Sequence, residues 1–178
     1  MADNIKIDLL QGGIAVRNAG VVILNDYIPM FFERLGLTAN KSFLNNESQL
    51  DAVHYLQYVI TGQESTEEIL LPLNKVLCGL SLSTPLKDGP DITPQIKELV
   101  DGLIEAVIAH WNTIGSSSVD GFRGNWLVRD GILTELEDRW ELVVEKRAYD
   151  VLMNKAPFAF SIIKYPWMDK PIHVMWPY

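Results

Sequence analysis

The repeat of the apolar residues changes along this chain from the period of a helix to the period of a strand. Before Gly131, apolar side chains recur every three or four residues in several segments, as they do on one face of a helix. After it, they alternate with their neighbours, as on a half-buried strand. This order indicates the α+β class. We expect a mainly helical N-terminal two-thirds packed on a small antiparallel β-sheet that the C-terminal third forms.

The composition is that of a folded domain with an acidic surface. The chain has 178 residues, of which 48% are hydrophobic and 21% charged, and 15 Lys and Arg stand against 23 Asp and Glu, for a net charge of −8. That charge disfavours nucleic acid and anionic membrane surfaces as main partners. No apolar run reaches the roughly 18 residues of a membrane span, so we expect no membrane insertion, and the acidic first residues do not resemble a secretory signal.

The N-terminal residues 1–17 are weakly patterned, and we predict an arm there. Ile5, Ile7 and Leu9 alternate with Lys6 and Asp8, as in a short strand. Two interpretations stay open: a loosely attached arm, or an edge strand that adds to the sheet of a partner.

Residues 18–178 are predicted to form one domain. Residues 81–92 are rich in Ser, Pro and Gly and are longer than an ordinary loop, so they are predicted to be an internal linker. Two lobes, 18–80 and 93–178, joined by that linker remain an alternative division.

Residues typical of helix ends predict where the helices begin and stop. These signals are Pro29 and Gly36, Ser48 and Gly62, Ser65 with Glu68 as a capping box, Thr93 with Pro94, and Ser118 before Phe122 and Trp126. The helix after Thr93 carries the clearest apolar stripe, at Ile96, Leu99, Val100, Leu103, Val107, Ile108 and Trp111.

Alternation in the last third predicts the strands. Residues 132–136 and 140–144 flank Glu137 and Asp138, which indicates an antiparallel hairpin. We predict one helical turn over 148–153, a third strand over 158–162 and a last short strand over 172–176.

No constellation of catalytic or metal-binding residues stands out. The three histidines, His54, His110 and His173, lack ligand spacing, and Cys78 lies in an apolar segment that predicts a buried thiol. The single cysteine excludes an internal disulfide and fits a reducing compartment. The serines at 116–118 are expected to cap a helix, and Asp88 and Asp91 to be solvated turn residues. We expect no catalytic residue, no metal and no cofactor; a small enzyme that uses His110 or Cys78 is a minor alternative.

Large aromatic side chains concentrate in the last third of the chain. They either fill the core around a small sheet or form an interface, since Trp, Tyr and Met are enriched at interface centres. In the segment Tyr165–Met168, Trp167 and Met168 lie between Pro166 and Pro171, which favours an exposed loop. The predicted partner-binding residues are Phe122, Arg123, Tyr165, Trp167, Met168 and Trp176.

Several short stretches, taken in order, resemble the C-terminal domain of the tape measure proteins of contractile injection systems, which are phage-tail-like particles. The stretches are 18–20, 32–37, 52–58 with 61–62, 73–80, 107–111, 120–123, 129–131, 140–145, 165–168 and 174–176. Each is weak alone, but their order covers nearly all of residues 18–178.

The resemblance implies a non-enzymatic structural or assembly role linked to the length of the inner tube. It implies partners among the inner tube, cap and baseplate or spike proteins, in a symmetric multi-copy assembly. It also implies assembly in the bacterial cytoplasm and a place in the particle, with extracellular release. Because a folded domain of this size has a radius of gyration of only about 16 Å, we expect an anchor or adaptor at a tube end. An accessory chaperone or cargo adaptor absent from the mature particle is the alternative.

Overall fold

The computed structural model describes residues 13–177, and most of their strands join one sheet. The strands are β1 Gly13–Val16, β2 Thr38–Ala39, β3 Ser42–Phe43, β4 Gly131–Glu135, β5 Trp140–Val144, β6 Ile162–Ile163 and β7 Ile172–Met175. The five-stranded sheet has the order β1-β4-β5-β7-β6, and β2 pairs with β3 in a small separate hairpin. The α+β class is therefore confirmed.

The arrangement of the sheet differs from the expected antiparallel sheet of the last third in two respects. Its edge strand β1 comes from residues near the start of the chain and pairs antiparallel with β4. In addition, β7 pairs parallel with β5, because the chain crosses over between them and returns in the same direction. The hairpin of β4 and β5 forms as predicted. The expected strand over 5–9 lies outside the described residues.

The helices follow most of the predicted boundaries. They are α1 Ile28–Arg34, α2 Asn46–Thr61, α3 Pro72–Leu77, α4 Pro94–His110 and α5 Val119–Phe122, with short 3₁₀ segments at Ala19–Leu24, Glu68–Leu70, Asn112–Ile114 and Ala148–Lys155 and a π-turn at Arg123–Leu127. The side chains of Thr93 and Ser118 accept hydrogen bonds from backbone N–H groups of Ile96 and Gly121, which confirms both caps. Gly62 ends α2 in the left-handed conformation, with φ at +71°.

Two predicted caps and one predicted strand are wrong. Asn45, not Ser48, caps α2, since its Oδ1 accepts from the Ser48 backbone N–H at 2.8 Å. Glu68 forms no capping box; its Oε1 instead accepts from Lys75 Nζ at 2.8 Å and from the Leu86 backbone N–H. The third strand covers only Ile162–Ile163, because the upstream Phe158 packs its ring on Trp111, 5.6 Å away between centroids.

The centre of the core is the 3₁₀ segment Ala19–Leu24, whose six residues are all buried. Its backbone lies directly against the π-turn, since a Cβ at Gly20 would overlap the carbonyl of Trp126. This contact explains why a run that is apolar on all sides sits inside the molecule. On α4 the buried side chains are Val100, Ile104 and Val107; Ile104 was missing from the predicted stripe, and Leu103 is only half-buried.

A buried cluster of amide side chains ties the 3₁₀ segment to two helices. The Asn18 side-chain N–H₂ donates to Gln57 Oε1 on α2 at 2.9 Å and to Asn74 Oδ1 on α3 at 2.6 Å. Asn74 in turn donates to the Val53 carbonyl at 3.1 Å. Buried amides need such partners to offset their desolvation, so this cluster fixes how α2 and α3 sit on the core.

Residues 81–92 contain neither helix nor strand, as predicted, and they pack on α2. The His54 Nε2 atom lies 2.8 Å from the Lys87 carbonyl oxygen, and Ile92 is buried in the core. The assignment of residues 18–178 to one domain stays a prediction, as does the alternative of two lobes.

Candidate functional site

The candidate residues for catalysis or metal binding lie in separate parts of the fold. His54 contacts the 81–92 segment, the His110 ring packs against Phe158 at 6.0 Å between centroids, and His173 lies on β7. Cys78 is wholly buried, and burial raises the pKa of its thiol, which keeps it protonated and unreactive. Within residues 13–177, no three His, Cys, Asp or Glu side chains are placed to hold a metal ion. The arrangement offers no candidate active centre among these groups.

The loop with Tyr165, Trp167 and Met168 packs onto the chain itself. The Tyr165 hydroxyl donates to the Asn25 carbonyl at 3.0 Å, and the Trp167 indole N–H donates to the Leu77 carbonyl at 2.8 Å. Tyr165 and Met168 are buried. Trp167 is half-buried, with its ring centroid 5.0 Å from that of Phe43. The structure thus brings the loop together with β3 and α3, and among these three residues Trp167 retains a surface for a partner.

Phe122 and Arg123 lie beneath the surface at the end of α2. Phe122 is fully buried, and the Arg123 guanidinium donates through Nε to the Val59 carbonyl at 2.9 Å. The Arg123 Nη1 atom forms an ion pair with Asp120 Oδ1 at 3.0 Å, and the guanidinium lies over the Tyr58 ring. A cation that hydrogen-bonds the last carbonyls of a helix stabilises that end against its dipole. Partner binding by these two residues stays a prediction.

Trp176 belongs to a buried ionic cluster that the sequence interpretation missed. Its indole N–H donates to Asp150 at 2.9 Å, and Asp150 is paired with Arg129. The Arg129 guanidinium also lies over the rings of Trp126, Tyr149 and Trp176, at 5.1–5.4 Å from their centroids. A charged pair with such complete partners is a structural centre rather than an open binding site. In the sequence, only the acidic residue Asp150 in the predicted turn at 148–153 hinted at this cluster, and it indicated no particular partner.

The sequence interpretation also missed an apolar surface on the side of the sheet that faces away from the core. We call it the outer sheet face and define it by Ala15, Ile132, Val143, Ile162 and Met175. Strand pairing places Ala15, Ile132, Val143 and Met175 in one row across four strands. Val143 is 41% exposed, Met175 56% and Ile162 58%. Large neighbouring apolar groups in solvent are typical of contact surfaces. The signal was present in β5, where Leu142, Val143 and Val144 make both faces apolar.

The family model described as contractile injection system tape measure protein matches residues 5–176. The chain therefore belongs to the tape measure protein family of contractile injection systems, which confirms the resemblance. The family supports a structural or assembly role alongside the tube and other particle proteins. No curated protein and no solved structure shows significant similarity to the chain. Within residues 13–177, every helix is too short or too polar to cross a membrane.

Proposed function

We propose that the chain is a non-enzymatic structural or assembly component of a contractile injection system, anchoring or adapting at one end of the inner tube. The cap side and the baseplate side are the two ends in question, and the role is linked to tube-length control. Family membership supports the assembly role. The longest described helix, α4, has 17 residues, and a helix of that length spans only about 26 Å. Residues 13–177 therefore suit an anchor better than an extended ruler.

The observation that carries this proposal is the outer sheet face. It presents an apolar row across four strands, and an exposed apolar sheet face can pack against another sheet. We assign it to the contact with a cap or baseplate protein at the tube end. Trp167, the half-exposed member of the predicted partner-binding residues, is proposed as a second contact. The buried members Phe122, Arg123, Tyr165, Met168 and Trp176 would hold these surfaces in position.

The test is a variant of the outer sheet face in cells that assemble the particle. Val143→Thr and Ile162→Thr retain β-branched side chains, which favour strands, and Met175→Lys adds a charge. A control with the same added charge, Ile69→Lys with Val151→Thr, changes two side chains elsewhere that are 77% and 62% exposed. Each version carries a small tag, and cryo-EM of purified particles locates the tag density.

We expect tag density at one tube end for the natural chain and the control, and its loss for the outer-face variant with an unchanged circular dichroism spectrum. Density along the whole tube lumen would contradict the anchoring role. Normal incorporation of the outer-face variant would contradict this face as the contact. A chain bound to tube subunits in the cell but absent from mature particles would establish the assembly chaperone instead.

A further inference from the structure

A second surface feature, unrelated to the outer sheet face, is an apolar groove beside the start of α2. It has a volume of about 440 Å³ and lies between α2 and residues 80–87. Its apolar walls are Leu50, Leu80, Pro85 and Leu86, and the three leucines are half-buried. This volume falls within the range of about 300–1,000 Å³ in which clefts hold ligand groups. We call it the α2 groove.

One end of the α2 groove opens onto a cluster of carboxylates. The adjoining cavity, of about 310 Å³, shares Leu50 and Lys87 with the groove and is also lined by Glu47, Asp51 and Asp88. Glu47, Leu50 and Asp51 follow the i, i+3, i+4 spacing, which puts them on the same face of α2. An apolar slot and a negative rim are thus parts of one continuous surface.

The negative charge of this rim exceeds the positive charge beside it, since three carboxylates line the cavity with one lysine, Lys87, and none of them is in a direct ion pair within the described chain. Other acidic residues nearby have cations: Glu68 pairs with Lys75 at 2.8 Å, and Glu64 with Lys97 at 3.4 Å. By contrast, among residues 13–177 no Lys, Arg or His nitrogen lies within 4.0 Å of the carboxylates of Glu47, Asp51 or Asp88.

The pKa of Asp51 supports this view of the rim. Burial raises it above the ordinary value, and the neighbouring charge of Glu47 raises it further, against a smaller opposite effect of His54. Two like charges at i and i+4 on a helix destabilise it slightly. The rim therefore holds a surplus of negative charge at a small cost, which a cation from outside the chain would relieve.

We propose that the α2 groove binds a basic amphipathic segment of a partner protein. An apolar side chain of that segment occupies the slot between Leu50 and Leu86, and its Lys or Arg side chains reach the carboxylates of the rim. A second copy of this chain fits less well, because its net charge of −8 would bring like charges together. The groove shares no residue with the outer sheet face, so this inference stands or falls independently of the proposed function.

The experiment measures binding of the full chain to a short fluorescein-labelled peptide by fluorescence anisotropy. The peptide has leucines at the i, i+3, i+4 and i+7 positions of a helix and lysines elsewhere, as in groove-binding helices. One comparison peptide replaces each lysine by glutamate, and another replaces each leucine by serine. The rim variant is Glu47→Gln with Asp51→Asn and Asp88→Asn, and the slot variant is Leu86→Ser. The matched control, Glu98→Gln with Asp101→Asn and Glu105→Gln, removes the same charge from exposed positions of α4.

We expect the chain to bind the lysine–leucine peptide and neither comparison peptide. The Kd for the lysine–leucine peptide should rise about tenfold in the rim variant. Binding should also weaken in the slot variant and as the salt concentration rises. NMR shift changes from the bound peptide should centre on Leu50, Leu86 and Asp88.

Four results would overturn the inference. They are no measurable binding, an equal loss in the α4 control, an unchanged Kd in the slot variant with shift changes elsewhere, and self-association of the chain that the rim variant abolishes. The last would identify a second copy as the occupant. The variants are compared at matched helical content, so a loss of folding cannot imitate a loss of binding.

Discussion

The guanidinium of Arg129 and the carboxylate of Asp150 form two parallel hydrogen bonds of 2.6 and 2.7 Å, and both side chains are wholly excluded from solvent. Arg129 uses its remaining donors on the carbonyls of Asn125 and Glu145. The pair thereby joins the π-turn, the end of β5 and the following 3₁₀ segment.

Asp150→Ala leaves the Arg129 guanidinium buried without its counter-charge. We expect a loss of about 3–5 kcal/mol in the free energy of unfolding, measured by urea denaturation. Replacing both residues, as Arg129→Met with Asp150→Leu, should cost less than the single change, because no lone charge remains. An equal or larger loss in the double variant would show that the hydrogen bonds to the surrounding carbonyls matter more than the pair.

The same carboxylate predicts a pH dependence. Burial alone raises the pKa of Asp150, but hydrogen bonds from Arg129, Trp176 and the Arg147 backbone outweigh it and hold that pKa below its ordinary value. A lowered folded-state pKa gives stability that is present above the unfolded pKa of about 3.9 and is lost as the pH falls through the folded value. Unfolding free energies of the natural chain should fall below about pH 4. Asp150→Asn should lack that part of the fall; identical pH profiles would contradict the assignment.

Neighbouring positions on α4 should respond differently to truncation. Ile104 is fully buried, so Ile104→Ala should destabilise the fold by about 2–5 kcal/mol through the cavity it leaves. Leu103 is half-buried, so Leu103→Ala should cost clearly less. Thermal unfolding followed by calorimetry compares the two, and a larger effect at Leu103 would mean that α4 presents another face to the core.

Two glycines should give opposite results when changed to alanine. A Cβ at Gly20 would overlap the Trp126 carbonyl, so Gly20→Ala should destabilise the fold by at least about 1–3 kcal/mol. Gly102 lies within α4, and a Cβ added there would meet no atom within 4 Å, so Gly102→Ala should raise stability by about 0.8–1.0 kcal/mol. Melting temperatures of the two variants should move in opposite directions, and a gain at Gly20 would exclude the close backbone approach.

Trp167→Ala separates packing from partner binding. The ring contacts Phe43 and its N–H bonds the Leu77 carbonyl, so we expect a loss of about 2–3 kcal/mol in unfolding free energy. Trp167→Phe removes the N–H while keeping a ring, and it should cost about 1 kcal/mol. Retained particle incorporation by a folded Trp167→Ala variant would place the side chain in the core alone, whereas its loss there but not in Trp167→Phe would support the proposed contact.

The sequence predicted local structure better than long-range pairing. Caps such as Thr93 and Ser118 and the β4–β5 hairpin depend on adjacent residues, and they were confirmed. The pairing of β1 with β4 and the parallel course of β7 depend on contacts between distant segments, which alternation cannot encode.

The predicted partner-binding residues show the same limit. The sequence of a proline-flanked aromatic segment is the same whether its side chains face a partner or pack on their own chain. In the structure, Tyr165 is buried by contacts with residues far upstream. The Arg129–Asp150 pair and the α2 groove were also out of reach, because both join segments that are separate along the sequence.

The place of β7 in the sheet has a consequence for biosynthesis. In the sheet, β5 lies between β4 and β7. During synthesis β4 is already outside the ribosome when β5 emerges, whereas β7 can pair with β5 only after residues 172–175 have emerged. Until then one side of β5 offers unpaired backbone groups, and such an edge is prone to join strands of other nascent chains. A nascent chain stalled between β5 and β7 should therefore aggregate more readily than a chain in which β7 has already paired with β5.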